Sequence, residues 1–221
     1  MRAAAPAVLI MARAPRRGQV RPALEPLIGL DGCVALQSAL IVQTVQWARE
    51  LTPRAIHVAH DPPDSGRELR ALVGPEATLF PQNGDGISGR LADATARVFT
   101  RGLGPLLIVW PDLPRLRRAH GEAALDDLQA GCDVVLGPVY DGGFYLVGIS
   151  RPMPKLFALP ELTWRSTDAM TMALAAAREA RLEVGLLRAE RALHRPGDVR
   201  AALADPMLPD EVARALGKRA S

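Results

Sequence analysis

From residue 7 to residue 187 the chain alternates short apolar runs with longer amphipathic ones, and this alternation restricts its fold more than any other feature. Ala7–Ala12, Ala55–His60, Ala77–Phe80, Leu106–Trp110, Asp133–Leu136 and Glu183–Leu187 read as strands, and a further strand ends over Val147–Ser150. Helical spacing runs through Asp31–Leu51, Leu69–Val73, Gly89–Thr100, Ala119–Gln129 and Thr167–Arg181. Strands apolar on both faces, each followed by a helix, form a mostly parallel sheet covered by helices. The expected fold is therefore α/β, Rossmann-like, with a mostly parallel sheet flanked by helices. No linker-like or repeated segment interrupts it, so residues 1–221 are expected to form a single domain.

Composition narrows the class. Nearly half the residues are hydrophobic and few are aromatic, as in ordinary folded α/β proteins. The apolar windows Ala5–Ala12 and Leu103–Trp110 are shorter than the roughly 18–20 residues that cross a bilayer, so no membrane span is expected. The apolar start of the chain runs into Met11–Gly18 without a cleavage signature and reads as a first core strand rather than a leader. Cys33 and Cys132 have no metal-ligand or redox spacing, which suits buried thiols in a cytoplasmic protein.

Net charge is +3, and the 27 basic residues include only two lysines, Lys155 and Lys218. Any cation that meets a phosphate in the first two-thirds must therefore be a guanidinium, charged at every ordinary pH. The arginines are scattered rather than striped and lack interleaved aromatics, so no nucleic-acid partner is expected.

Four loops at predicted strand ends hold the unusual residues: Ala14–Arg21, Gln82–Arg90, Trp110–Leu116 and Val139–Gly143. In open α/β sheets the ligand crevice lies outside the carboxyl ends of the strands, so four such loops can converge on one site. Asp141-Gly142-Gly143 combines a carboxylate with two glycines that let a ligand approach the main chain, and it also reads as an Asp-Gly hairpin turn without a ligand.

The stretch Met11-Ala12-Arg13-Ala14-Pro15-Arg16-Arg17-Gly18-Gln19-Val20, the segment Gln82 to Arg90, Asp112-Leu113-Pro114, Gly137-Pro138 through Asp141-Gly142-Gly143-Phe144-Tyr145, and Trp164 occur in this order. Together they resemble the glycosyltransferase-A-like family associated with arsenosugar biosynthesis, which is similar to 2-phospholactate and molybdenum cofactor guanylyltransferases. The resemblance implies a nucleotide-diphospho-sugar transferase fold and a metal-dependent transferase acting on a nucleotide-activated sugar and a small acceptor. A pyrophosphate-releasing nucleotidyltransferase and an inactive or repurposed nucleotide- or partner-binding relative are the alternatives.

On this resemblance Ala12, Arg13, Arg16, Arg17, Gly18, Arg21, Gln82 and Arg90 would contact nucleotide or phosphate. Arg21 and Asp141 would take part in the chemistry, Asp141 as a base or positioning group for an acceptor hydroxyl. Gly142, Gly143, Tyr145 and Trp164 would line the acceptor pocket, and Asp112 with His194 would hold Mg²⁺ or Mn²⁺. Four motifs depart from the family. In the first loop Arg21 keeps one positive charge while Pro22 removes a backbone donor and Ala23 the second cation, Asp85-Gly86-Ile87-Ser88 alters the glycine-rich loop, Trp110 replaces glycine, and His194 replaces a second carboxylate. Histidine suits manganese or zinc better than magnesium and reads more simply as a surface residue, while Trp110 reads more readily as a core residue closing its strand than as a residue that fills ligand space.

Overall fold

The computed structural model describes residues 5–102, 104–164 and 166–217. The first four residues of the segment read as leading into the first strand, Leu103 of the apolar window and Lys218 lie outside the described residues. Seven strands, β1 (Ala7–Arg13), β2 (Ala55–Asp61), β3 (Thr78–Pro81), β4 (Leu106–Val109), β5 (Val134–Pro138), β6 (Phe144–Ile149) and β7 (Val184–Leu186), form one sheet. Their order is β3-β2-β1-β4-β6-β5-β7. All pairings are parallel except those of β6, which runs antiparallel to both β4 and β5. The reason is local: the Val139–Gly143 link is too short for a crossover, so β5 and β6 form a hairpin.

The helices are α1 (Glu25–Glu50), α2 (Gly66–Val73), α3 (Gly86–Thr100), α4 (Arg118–Gln129), a single turn α5 (Glu161–Trp164), α6 (Ala169–Glu179), α7 (Pro196–Leu203) and α8 (Asp210–Ala215). Two departures from the sequence expectation matter for the site. Helix α1 begins at Glu25 rather than Asp31, with a break at Gly29, and α3 begins at Gly86 inside the stretch expected to be loop.

Alternation along the strands splits the core between the two faces of the sheet. Val8, Ile10, Val58, Leu107 and Val109 pack with Ile41, Val45 and Trp47 of α1. Leu9, Met11, Leu106, Ile108 and Leu136 pack with Leu91, Ala94 and Val98 of α3 and Ala173 of α6. A third cluster joins Leu36 and Leu40 of α1 to Leu193, Val199 of α7 and Val212 of α8. That cluster fixes Leu193, in the segment just before α7, against α1, and His194 is the next residue along.

The helical stretch 22–50 is long and apolar enough to cross a membrane by length and composition, which a search for uninterrupted apolar runs overlooks. Its Leu36, Leu40, Ile41, Val45 and Trp47 are all buried in the protein's own core. Cys33 and Cys132 are both free thiols.

Candidate functional site

Strand β4 ends at Val109, and Pro111 turns the chain so that Asp112 stands beyond the carboxyl end of the sheet. The Asp112 carbonyl accepts a hydrogen bond from the Leu193 amide at 2.9 Å, which ties this loop to the segment before α7. A guanidinium completes the join. The Arg21 side chain is 6 % exposed and donates to Asp112 Oδ1 (2.9 Å), the Pro111 carbonyl (2.7 Å), the Leu193 carbonyl (2.8 Å) and Gln37 Oε1 (2.9 Å). Gln37 in turn donates to the Arg13 carbonyl at the end of β1. The Arg21 backbone is left-handed, with φ at 51°, a conformation that L-residues adopt only where their surroundings hold them there.

His194 lies between two carboxylates. Its Nδ1 is 2.5 Å from Asp141 Oδ2 and its Nε2 is 3.6 Å from Asp112 Oδ2. The neighbouring Asp112, together with Asp141, outweighs burial and raises the imidazole to about 9, so in the metal-free protein it is a cation at neutral pH. Burial would raise the Asp112 carboxyl, but His194 and Arg21 hold it down to about 2.

Two hollows open beside this group. One, of about 340 Å³, is lined by Arg13, Gln19, Arg21, Trp110, Asp112 and His194 among others. The other, of about 160 Å³, is lined by Met11, Arg13, Asp61, Gln82, Arg90 and Trp110. Trp110 borders both, so it is neither a sealed core residue nor a plug. Asp61 lies 3.0 Å from the Arg13 guanidinium and 3.4 Å from that of Arg90, holding the two cations along one rim. Sequence reasoning passed over Asp61 and Gln37. The signal for Asp61 was its place as the last residue of β2, directly before Pro62-Pro63.

The structure brings together Arg13, Arg21, Gln82, Arg90, Asp112, Asp141 and His194. Gln82 reaches its place by donating to the carbonyls of Ala59 (2.9 Å) and Ala12 (3.4 Å). Other expectations need correction. Arg21 lines the hollow but not as a free cation: its guanidinium is nearly buried and committed to four protein acceptors. Ala12 is fully buried, and Arg16 and Arg17 turn away to pair with Asp64, Glu68 and Asp31. Gly18 makes the loop turn at φ 70° and lines neither hollow.

On the acceptor side, Tyr145 is wholly buried against His120, with its hydroxyl 3.4 Å from the Arg188 carbonyl, so it belongs to the core. The Gly142 amide donates to Val139 within the hairpin, and its missing side chain makes room for the Thr167 main chain rather than for a ligand. Gly143 lies in the same turn, its carbonyl accepting from the Val139 amide. Trp164 is edge-on to Phe144 and donates to Ser88 Oγ at 2.8 Å, which anchors α5 to α3 rather than lining the Asp112 hollow.

Two side chains of this site are of the kind that ligate divalent cations. Asp112 and the Nε2 of His194 can be ligands, with Asp141 orienting the ring through Nδ1 as carboxylates do for metal-bound histidines. Among the described residues no group of three or more His, Cys, Asp or Glu is placed to hold an ion, so remaining ligands would have to come from substrate or water.

Residues 44–164, more than half of the chain, match the family described as "Uncharacterized protein conserved in bacteria (DUF2064)", and the chain belongs to it. No curated protein sequence matches. Among solved structures, a candidate nucleotide-diphospho-sugar transferase from Desulfovibrio desulfuricans G20 superposes with a TM-score of 0.86 at 23% identity, covering 96% of both chains. The inositol-1-phosphate CTP transferase from T. maritima gives 0.52 at 13% identity, over 98% of this chain and 96% of that one. The manganese complex of Rv0371C from Mycobacterium tuberculosis H37Rv gives 0.52 at 17% identity, over 97% and 98%. The chain thus shares the mixed, mostly parallel sheet of nucleotide-diphospho-sugar transferases and nucleotidyltransferases.

Proposed function

We propose that residues 1–221 form one nucleotide-utilising transferase domain that binds a nucleotide-activated sugar where β1 and β4 end and delivers the sugar to a small acceptor. The observation that carries this reading is the convergence on one hollow of Asp112, fixed by the buried Arg21, and His194, oriented by Asp141. Such preorganised charges at a strand-end crevice are what transfer from a diphosphate leaving group requires. The structural kinship with a candidate nucleotide-diphospho-sugar transferase supports it.

Arg13 and Arg90 are the guanidiniums on the rim and would meet the diphosphate, with Gln82 beside them. Asp112 and His194 would hold Mn²⁺ or Mg²⁺, and the neighbour solved with manganese supports the choice. When bound, the ion would offset charge on the leaving diphosphate. Asp141 spends one oxygen on His194, and its other oxygen is available to position an acceptor hydroxyl. Because the Arg21 guanidinium in the hollow is already committed to four protein acceptors, fewer cations are free there, which disfavours a triphosphate substrate relative to a diphosphate sugar.

A thermal-shift panel of nucleotide sugars and nucleoside triphosphates, each with and without Mn²⁺ or Mg²⁺, tests the reading. Metal-dependent stabilisation by a nucleotide sugar, lost in Asp112→Asn, is expected. Stabilisation by a triphosphate alone, with pyrophosphate released on turnover, overturns it in favour of a nucleotidyltransferase. No response to any nucleotide overturns it in favour of a repurposed relative.

A further inference from the structure

A second polar cleft, of about 300 Å³, lies between the 113–117 loop, the 188–191 segment and α7, and shares no lining residue with the Asp112 hollow. Four guanidiniums face it, from Arg115, Arg117, Arg188 and Arg191, against three carboxylates, Glu190, Asp198 and Asp205. Arg117 pairs with Glu190 at 2.6 Å and Arg191 with Asp198 at 3.1 Å, while Arg115 makes only a loose approach to Asp205 at 3.8 Å. Arg188 has no carboxylate partner among the described residues, so the cleft holds one uncompensated cation and one weakly held one.

The main chain beneath Arg188 is fixed. The Arg188 carbonyl accepts from Tyr145, the Leu187 amide donates to Leu136, and the Glu190 amide donates to Pro138. A hydrogen-bonded backbone carrying a guanidinium without a carboxylate partner, in the same cleft as a loosely paired one, offers forked donors to a tetrahedral anion. We propose that this cleft is a binding site for a small phosphorylated molecule, distinct from the Asp112 hollow. Its volume is at the low end for ligand sites, which suits a compact phosphate ester rather than a dinucleotide. Asp198 connects it to the candidate active site: one carboxylate oxygen holds Arg191, and the other accepts the amides of His194 and Arg195 at 3.2 and 2.8 Å. An anion that draws Arg191 from Asp198 therefore acts on the residue that carries the His194 main chain.

Titration calorimetry of the full chain with inorganic phosphate at constant ionic strength tests this. The wild type is expected to bind phosphate saturably, and Arg188→Ala and Arg188→Gln to weaken it about tenfold, the size of one charge-assisted contact. Arg188 is exposed, so both variants are expected to keep the wild-type circular dichroism. Asp112→Asn is expected to bind phosphate within about twofold of wild type. Absence of saturable binding, unchanged affinity in both Arg188 variants, or loss of binding in Asp112→Asn overturns the proposal. Because the nucleotide panel reads the other hollow, either result can fail without the other.

Discussion

The Arg21 guanidinium lies 2.9 Å from Asp112, with its side chain almost wholly removed from solvent, although the two residues are 91 positions apart. The pair joins the loop after β1 to the loop after β4, and the other three bonds of Arg21 bring in α1 and the segment before α7. Arg21 is therefore a positioning residue: it sets where the Asp112 carboxylate stands without facing the hollow as a free cation.

Removing that guanidinium leaves a half-buried carboxylate and two carbonyls without their donor. Arg21→Met is expected to lose about 3–5 kcal/mol of stability, the cost of breaking one side of a buried ion pair. Arg21→Lys keeps the charge but not the fork, and is expected to recover only part of the loss. Urea denaturation of the three proteins checks the ranking, and a Met variant as stable as wild type contradicts the positioning role.

The His194 group predicts a pH dependence in metal-free protein. Its folded value of about 9 lies above the ordinary 6.5, so its stabilisation is complete below pH 6.5 and disappears as pH rises through 9. Since the ring is 37% exposed, solvent screening reduces the effect to about 1–2 kcal/mol. Asp112 works at the other end, its share being present above pH 3.8 and lost as pH falls through about 2. Melting temperatures measured in a chelator from pH 6 to 10 are expected to decline for wild type and to change less for His194→Gln. Equal slopes would separate His194 from the two carboxylates energetically.

How much of this was legible in the sequence differs by element. The sheet and its helices were, because burial on both faces leaves continuous apolar strands and one-sided burial leaves helical stripes. The place of Asp112 was legible too, since Pro111 and Pro114 stop β4 around it. The orientation of Arg21 was not: its four acceptors come from residues 37, 111, 112 and 193, and no local spacing shows a guanidinium finding them. Tyr145 and Gly142 lie in a motif that reads as ligand-binding, yet one fills the core and the other admits Thr167. A turn pressed against its own protein and a turn pressed against a ligand call for the same glycine.

Gly142 provides a direct test of that last point. It adopts φ 95°, and a methyl group there would collide with the main chain of Thr167. Gly142→Ala is expected to cost about 3 kcal/mol or more, since both backbone strain and a backbone collision act. Gly18 has φ 70° but open space around its would-be side chain, so Gly18→Ala is expected to cost only about 1 kcal/mol. Denaturant midpoints of the two variants compare them directly, and similar midpoints contradict the collision.

Trp110 borders both hollows, whereas Trp47 is buried under α4, donating to the Arg117 carbonyl, and Trp164 is tied to Ser88. A nucleotide sugar seated beside Asp112 must lie against the Trp110 indole, so its binding is expected to quench tryptophan fluorescence. The quench should persist in Trp164→Phe and vanish in Trp110→Phe, which keeps an aromatic wall and therefore most of the affinity. Trp110→Ala removes the wall, merges the two hollows and is expected to weaken binding about tenfold, in line with about 1–1.5 kcal/mol for an aromatic contact. If Trp110→Ala binds as tightly as wild type and the quench follows Trp164 instead, the ligand sits under α5 and the Asp112 hollow is not where the nucleotide goes.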